Sequence, residues 1–122
     1  MKDFLKYNWP SILWAAFILY LSLISGNSLP KIKIPNIDKV VHFTFYFVLV
    51  AFMFYGWRKQ NSFLFLHKNP LVKIVCIAIT YGFCIEIMQH EFTTTRHFDL
   101  LDVFANSTGA IAGSLISVKL FK

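Results

Sequence analysis

Charge is scarce in this chain, and acid scarcest: six Asp and Glu stand among 122 residues, and charged residues of both signs make up only 15%. Soluble domains carry about 25%, and with 57% hydrophobic residues here the balance excludes an ordinary water-facing surface. Glycine and proline number 5 and 4, and no repeat or low-complexity tract is present, which excludes fibrous and linker-like classes. There are two cysteines, Cys76 and Cys84, eight positions apart in one apolar run. Eight residues rise about 12 Å on a helix, too far for a disulfide, so both read as packing thiols. The net charge of +6 invites a nucleic-acid reading. The basic residues flank apolar runs instead of forming a solvated stripe, so no nucleic-acid partner is expected and the expected partner is a lipid bilayer.

What remains is long apolar runs, the composition of an all-α polytopic membrane protein in a single domain spanning residues 1–122. No charge interrupts the stretch between Lys6 and Lys31, and the first span is expected over about residues 8–26, with Pro10 in its opening turn. Lys2 and Lys6 before that run, and the small residues around Ser25, also resemble a signal peptide; the downstream spans stand either way. A second span is expected over 39–57, a third over 71–90 and a fourth over 100–120, with Phe63 to Leu66 as an interfacial loop. The fourth is the most polar, and its Gly109-x-x-x-Gly113 spacing suits close helix packing. Trp9 and Trp57 suit an interfacial belt.

With the N-terminus inside, Lys2, Lys6, Arg58, Lys59, Lys68, Lys73, Lys119 and Lys122 are cytoplasmic, and Lys31, Lys33, Lys39 and Arg96 lie outside. That excess of inside basic residues predicts four transmembrane helices, N-in and C-in. The acids sort the other way: Asp38, Glu86, Glu91, Asp99 and Asp102 all fall at outer helix ends or loops.

The sorting gathers a candidate pocket. Asp38 and His42 are i and i+4 on the second helix, Glu86 and Gln89 are i and i+3 on the third, and Lys39 and Arg96 stand beside them. On the fourth helix Asp99, Asp102, Asn106, Gly109 and Gly113 fall within about 80° at 100° per residue. Ionisable groups inside a bilayer are costly, which marks His42, Glu86 and Asp102 as functional candidates, catalytic ones included. The blander reading is that they brace the bundle, with Asp99 as N-cap and Arg96 paired to a carboxylate. Four carboxylates, Asp38, Glu86, Asp99 and Asp102, face two cations, Lys39 and Arg96, so a bound proton or cation would balance the site. The donor types suit a metal, but no H-E-x-x-H spacing is present, and neither a metal nor a cofactor is assigned. A thiol nucleophile is excluded because Cys84 lies about 200° round the helix from Glu86.

Three ordered motifs, Asp38-Lys39-x-x-His42-Phe43 with Tyr46, Gly82-x-x-x-Glu86-x-x-Gln89, and Arg96-x-x-Asp99-x-x-Asp102-x-x-x-Asn106-x-x-Gly109, resemble those of VanZ-like membrane proteins over residues 38–113. The resemblance implies a small multi-pass protein of the bacterial inner membrane, and the family's namesake is associated with teicoplanin resistance. It brings no settled reaction. The expectation is an outward-facing pocket for an envelope-related or amphiphilic ligand, lipid-linked or glycopeptide-like. The alternatives are a hydrolase acting on a lipid-linked envelope precursor, with Glu86 as general base, and a structural accessory subunit.

Overall fold

The computed structural model describes residues 2–23, 37–92 and 100–120, apart from the side chains of Ile37 and Asp38. Within them the chain forms four α-helices: α1 (Lys2–Leu23), α2 (Ile37–Lys59), α3 (Pro70–Phe92) and α4 (Leu100–Leu120). A short 3-10 turn, Leu64–His67, lies between α2 and α3, and the described residues contain no strand. Three of the helices are long and apolar enough to cross a membrane: Lys39–Lys59 within α2, Pro70–Phe92 and Leu100–Leu120. The α1 sequence, diluted by Lys2, Asp3, Lys6, Asn8, Ser11 and Ser22, is not among them. The helix also begins earlier than expected, so Pro10 sits in its interior. There the proline lacks the N–H that would bond to Lys6, while Asn8 and Ser11 bond the neighbouring carbonyls of Phe4 and Asn8 at 2.9 and 2.8 Å.

The core is apolar and centred on α2, where Tyr46, Leu49, Val50, Met53, Phe54 and Trp57 are buried against Ile18, Ile74, Ala78, Ile85 and Ala110. Trp57, expected at an interface, belongs to this core. Outward faces are the reverse of a soluble protein's: Ile77, Phe83 and Ile87 on α3 and Phe104, Ile111 and Leu115 on α4 are exposed large hydrophobics. Such faces are stable against lipid tails and costly in water.

The closest packing joins α4 to α2. A Cβ placed on Gly113 would lie 2.8 Å from the Phe47 carbonyl oxygen, and one on Gly109 would lie 2.9 Å from the Phe43 carbonyl carbon. Glycine at both positions lets the two backbones meet, as the four-residue spacing anticipates. α1 is tied in by its own polar contacts. Trp14 Nε1 donates to the Phe45 carbonyl at 2.9 Å, Tyr81 Oη to the Ala15 carbonyl at 2.5 Å, and Gln89 Nε2 to the Ser22 carbonyl at 3.0 Å.

The connection from α2 to α3 is a built structure. Gln60, fully buried, donates from Nε2 to the Phe63 carbonyl at 2.9 Å and accepts from the Phe63 N–H at 2.8 Å. Leu66 is buried, and Asn69 takes a positive φ of 49° before Pro70, a conformation Asn tolerates better than most residues. The start of α1 docks here: the Phe4 N–H donates to Ser62 Oγ at 3.3 Å, and the Asn61 N–H donates to the Asp3 carboxylate. One end of the bundle therefore holds the start of α1, the α2–α3 connection and most of the basic residues. The opposite end holds the start of α2, the end of α3 and the start of α4.

Candidate functional site

At that opposite end three helices each bring one polar residue inward. His42 lies in the second turn of α2, Asp102 in the first turn of α4, and Glu86 six residues before the end of α3, about 9 Å along the axis. Glu86 is fully buried, and the side chains of His42 and Asp102 keep 16% and 13% of their surface. One ligand-type atom from each of the three, all within 4.8 Å of one another, faces a common point. No sequence spacing announces this cluster, because its members come from different helices.

The partners of each residue are specific. Lys39, one turn before Phe43 on α2, extends its ammonium to Asp102 Oδ1 at 2.5 Å. Asp102 Oδ2 is left toward the interior, 3.6 Å from His42 Nε2, a separation longer than a hydrogen bond. The other ring nitrogen, His42 Nδ1, is 2.9 Å from Asn106 Oδ1. An amide oxygen only accepts, so in this arrangement Nδ1 carries a proton and donates. The ring then presents Nε2 to the carboxylates.

Two further polar groups complete the surroundings. Asn106 Nδ2 and the Tyr46 hydroxyl are buried with no hydrogen-bond partner among the described residues, on side chains only 2% and 1% exposed. Both side chains pack against Gly82, one turn before Glu86: a Cβ there would lie 3.0 Å from Asn106 Nδ2 and 3.3 Å from Cε1 of the Tyr46 ring. A buried donor without a partner costs about 1–3 kcal/mol, so two on side chains packed against the same glycine suit an acceptor brought by a ligand. Tyr46, part of the first sequence motif, was not among the expected site residues, although its i+4 offset from His42 puts it on the same face.

The structure thus gathers His42, Glu86, Asp102, Asn106 and Lys39. Gln89 is buried too, but its amide reaches α1. Arg96, Asp99 and the Asp38 side chain lie outside the described residues. Cys84 is exposed on the outer face of α3, opposite the buried Glu86, as its helical phase requires.

Fold and site together define a class: an all-helical bundle with membrane-spanning capacity and an ionisable cluster enclosed between its helices. The chain belongs to the VanZ/LLP1 family, whose pattern matches residues 2–122. It is also similar to an uncharacterized protein of Schizosaccharomyces pombe, 28% identical over 109 residues, which cover 88% of this chain and 64% of that protein. The chain thus spans just under two thirds of that relative's length. No solved structure matches the chain.

Proposed function

We propose that this protein is a four-span membrane protein, with both ends of the bundle chain on the basic, cytoplasmic side, whose enclosed polar cluster binds the head of an envelope-related or amphiphilic ligand. The observation that carries the reading is the pair of buried, unpartnered groups, Asn106 Nδ2 and the Tyr46 hydroxyl, beside His42 and Glu86. A bundle that needed only bracing would gain by having apolar side chains there. A ligand head carrying acceptor oxygens would satisfy both groups, while its apolar tail could lie along the exposed hydrophobic faces of α3 and α4.

Glu86 and Asp102 form the acidic floor of the pocket, and His42 and Asn106 its wall. In a host whose teicoplanin tolerance depends on this protein, Glu86→Gln and Asp102→Asn are expected to abolish protection while membrane levels stay intact. Unchanged protection in both variants would remove the pocket from the account. The hydrolase alternative draws on the orientation of His42 Nε2 toward Asp102, with Glu86 close by, a geometry suited to moving a proton. Phosphate release from lipid pyrophosphates by the purified protein would favour it, and stoichiometric binding without release would favour the binding protein.

A further inference from the structure

We infer that His42 Nε2, Glu86 and Asp102 Oδ2 form a binding site for a first-row divalent transition metal ion such as zinc. The inference concerns the same pocket but does not depend on the identity of any organic ligand.

Two features point to a cation, and a third to an oxygen that completes its shell. The first is spacing. Ligands at about 2.0–2.1 Å from a tetrahedral ion are separated by about 3.3 Å. His42 Nε2 and Asp102 Oδ2, at 3.6 Å, are too far apart to bond each other and close to the distance that a shared ion sets. One Glu86 oxygen lies within 4.8 Å of a ligand atom of each of the other two, so reaching the separation set by a shared ion takes a closure of up to about 1.5 Å.

The second feature is the state of the histidine. A metal-bound imidazole donates its other N–H to an oxygen that fixes tautomer and ring plane. Asn106 Oδ1, at 2.9 Å from Nδ1, is placed to do this for His42, with Nε2 turned toward Asp102 Oδ2. Lys39 plays the corresponding part for Asp102: it takes Oδ1 and leaves Oδ2 to the interior. His42 and Asp102 are thus each oriented by a neighbour that occupies one ligand-type atom and leaves the other toward its counterpart.

The third feature is the unpartnered Asn106 Nδ2 and Tyr46 hydroxyl at the edge of the cluster. Neither amide nitrogen nor neutral phenol is a strong ligand. Both are hydrogen-bond donors suited to the oxygen of a water, phosphate or carboxylate that fills the fourth metal position. One nitrogen and two oxygens select against calcium and magnesium, which favour all-oxygen shells, and toward zinc or manganese.

The test uses the full chain purified in detergent with a tag free of histidine, stripped with chelator, incubated with zinc and passed over a desalting column. Elemental analysis is expected to find zinc and protein in a one-to-one ratio, undiminished by excess calcium or magnesium. Asn106→Leu should weaken binding about 10–100-fold, as loss of an orienting partner does, and Glu86→Gln and Asp102→Asn should weaken it further. Because those variants risk misfolding, a second measurement uses His42→Cys loaded with cobalt. A thiolate-to-cobalt charge-transfer band in that variant, absent from wild type, would place residue 42 on the ion. Wild-type protein that retains no zinc, or zinc retention unchanged in Glu86→Gln and Asp102→Asn with no thiolate band in His42→Cys, would overturn the site. Zinc binding without amphiphile binding would leave the metal site standing and remove the ligand reading, and amphiphile binding to protein that holds no zinc would do the reverse.

Discussion

Gly109 of α4 lies against the backbone of Phe43 of α2, so close that an added Cβ would come within 2.9 Å of the Phe43 carbonyl carbon and nearer still to its oxygen. Phe43 is the neighbour of His42, and Gly109 is one turn from Asn106. The contact therefore sets the height at which His42 meets Asn106, and packing and site are one constraint. Gly109→Ala is expected to lower stability by about 1–3 kcal/mol, the usual cost of overpacking where only backbone can yield. Thermal unfolding of the detergent-solubilised variant checks this. A melting temperature equal to wild type would show that the helices separate freely.

The Lys39–Asp102 pair is partly buried, with side-chain exposures of 23% and 13%. Removing the cation alone should leave the Asp102 carboxylate with an uncompensated charge. Lys39→Met is therefore expected to destabilise by about 1–3 kcal/mol, and Lys39→Met with Asp102→Asn to recover part of that loss. The coupling is read from a double-mutant cycle in thermal or denaturant unfolding. Strictly additive losses would mean that the pair is not energetically linked.

Gln60 makes a prediction at the other end of the bundle. Both ends of its amide serve the backbone of Phe63, in a position with no exposure to solvent. Gln60→Ala leaves the Phe63 N–H without a partner, while the Phe63 carbonyl keeps the Leu66 N–H at 3.2 Å, and should cost about 1–3 kcal/mol. Gln60→Glu retains the acceptor alone and should fall between wild type and Gln60→Ala. The order of the three unfolding midpoints is the measurement, and an unaffected Gln60→Ala would show the turn to be held by Leu66 and its apolar neighbours.

The helices and the residues of the cluster were legible in the sequence for different reasons. Apolar runs bounded by Arg58-Lys59 and by Asn69-Pro70 fix α2 and α3 to within a few residues, because length in a bilayer and the chemistry of turns act locally. His42, Glu86 and Asp102 stood out because an ionisable side chain in an apolar run is costly wherever it sits. The start of α1 was not legible: its first turn is fixed by contacts to Ser62 and Asn61, nearly sixty positions away. The direction of Gln89 was equally hidden, since its partner is a backbone carbonyl on α1. Tyr46 stood in the first motif but was left out of the expected site for a third reason. Among fourteen phenylalanines and five tyrosines an aromatic residue carries little signal, and beyond its i+4 offset from His42 it is the burial of its hydroxyl that sets it apart.

The docking of Phe4 and Asp3 on the α2–α3 connection puts the N-terminal lysines and Arg58-Lys59 at one end of the bundle, the end that the proposed topology places inside. Reporter fusions after Lys33 and after Thr95 are expected to read outside, and a fusion after Gln60 inside. The reverse pattern would place the His42 cluster at the cytoplasmic face and exclude an extracellular antibiotic as its direct ligand.

Tyr46 separates a pocket from a brace. Its hydroxyl is buried and without a partner among the described residues, so in the ligand-free protein it contributes nothing that phenylalanine would not. Tyr46→Phe keeps the ring and its packing and removes only the unsatisfied group. Stability is therefore expected to hold or to rise by up to about 1–2 kcal/mol. If the hydroxyl donates to a bound head group, affinity should fall about 10-fold, the equivalent of one hydrogen bond of about 1.4 kcal/mol. A variant that is as stable as wild type and binds more weakly is the signature of a residue retained for a ligand. Equal or higher stability with unchanged binding would leave the hydroxyl without a role, and a clear loss of stability would show that it serves the folded bundle.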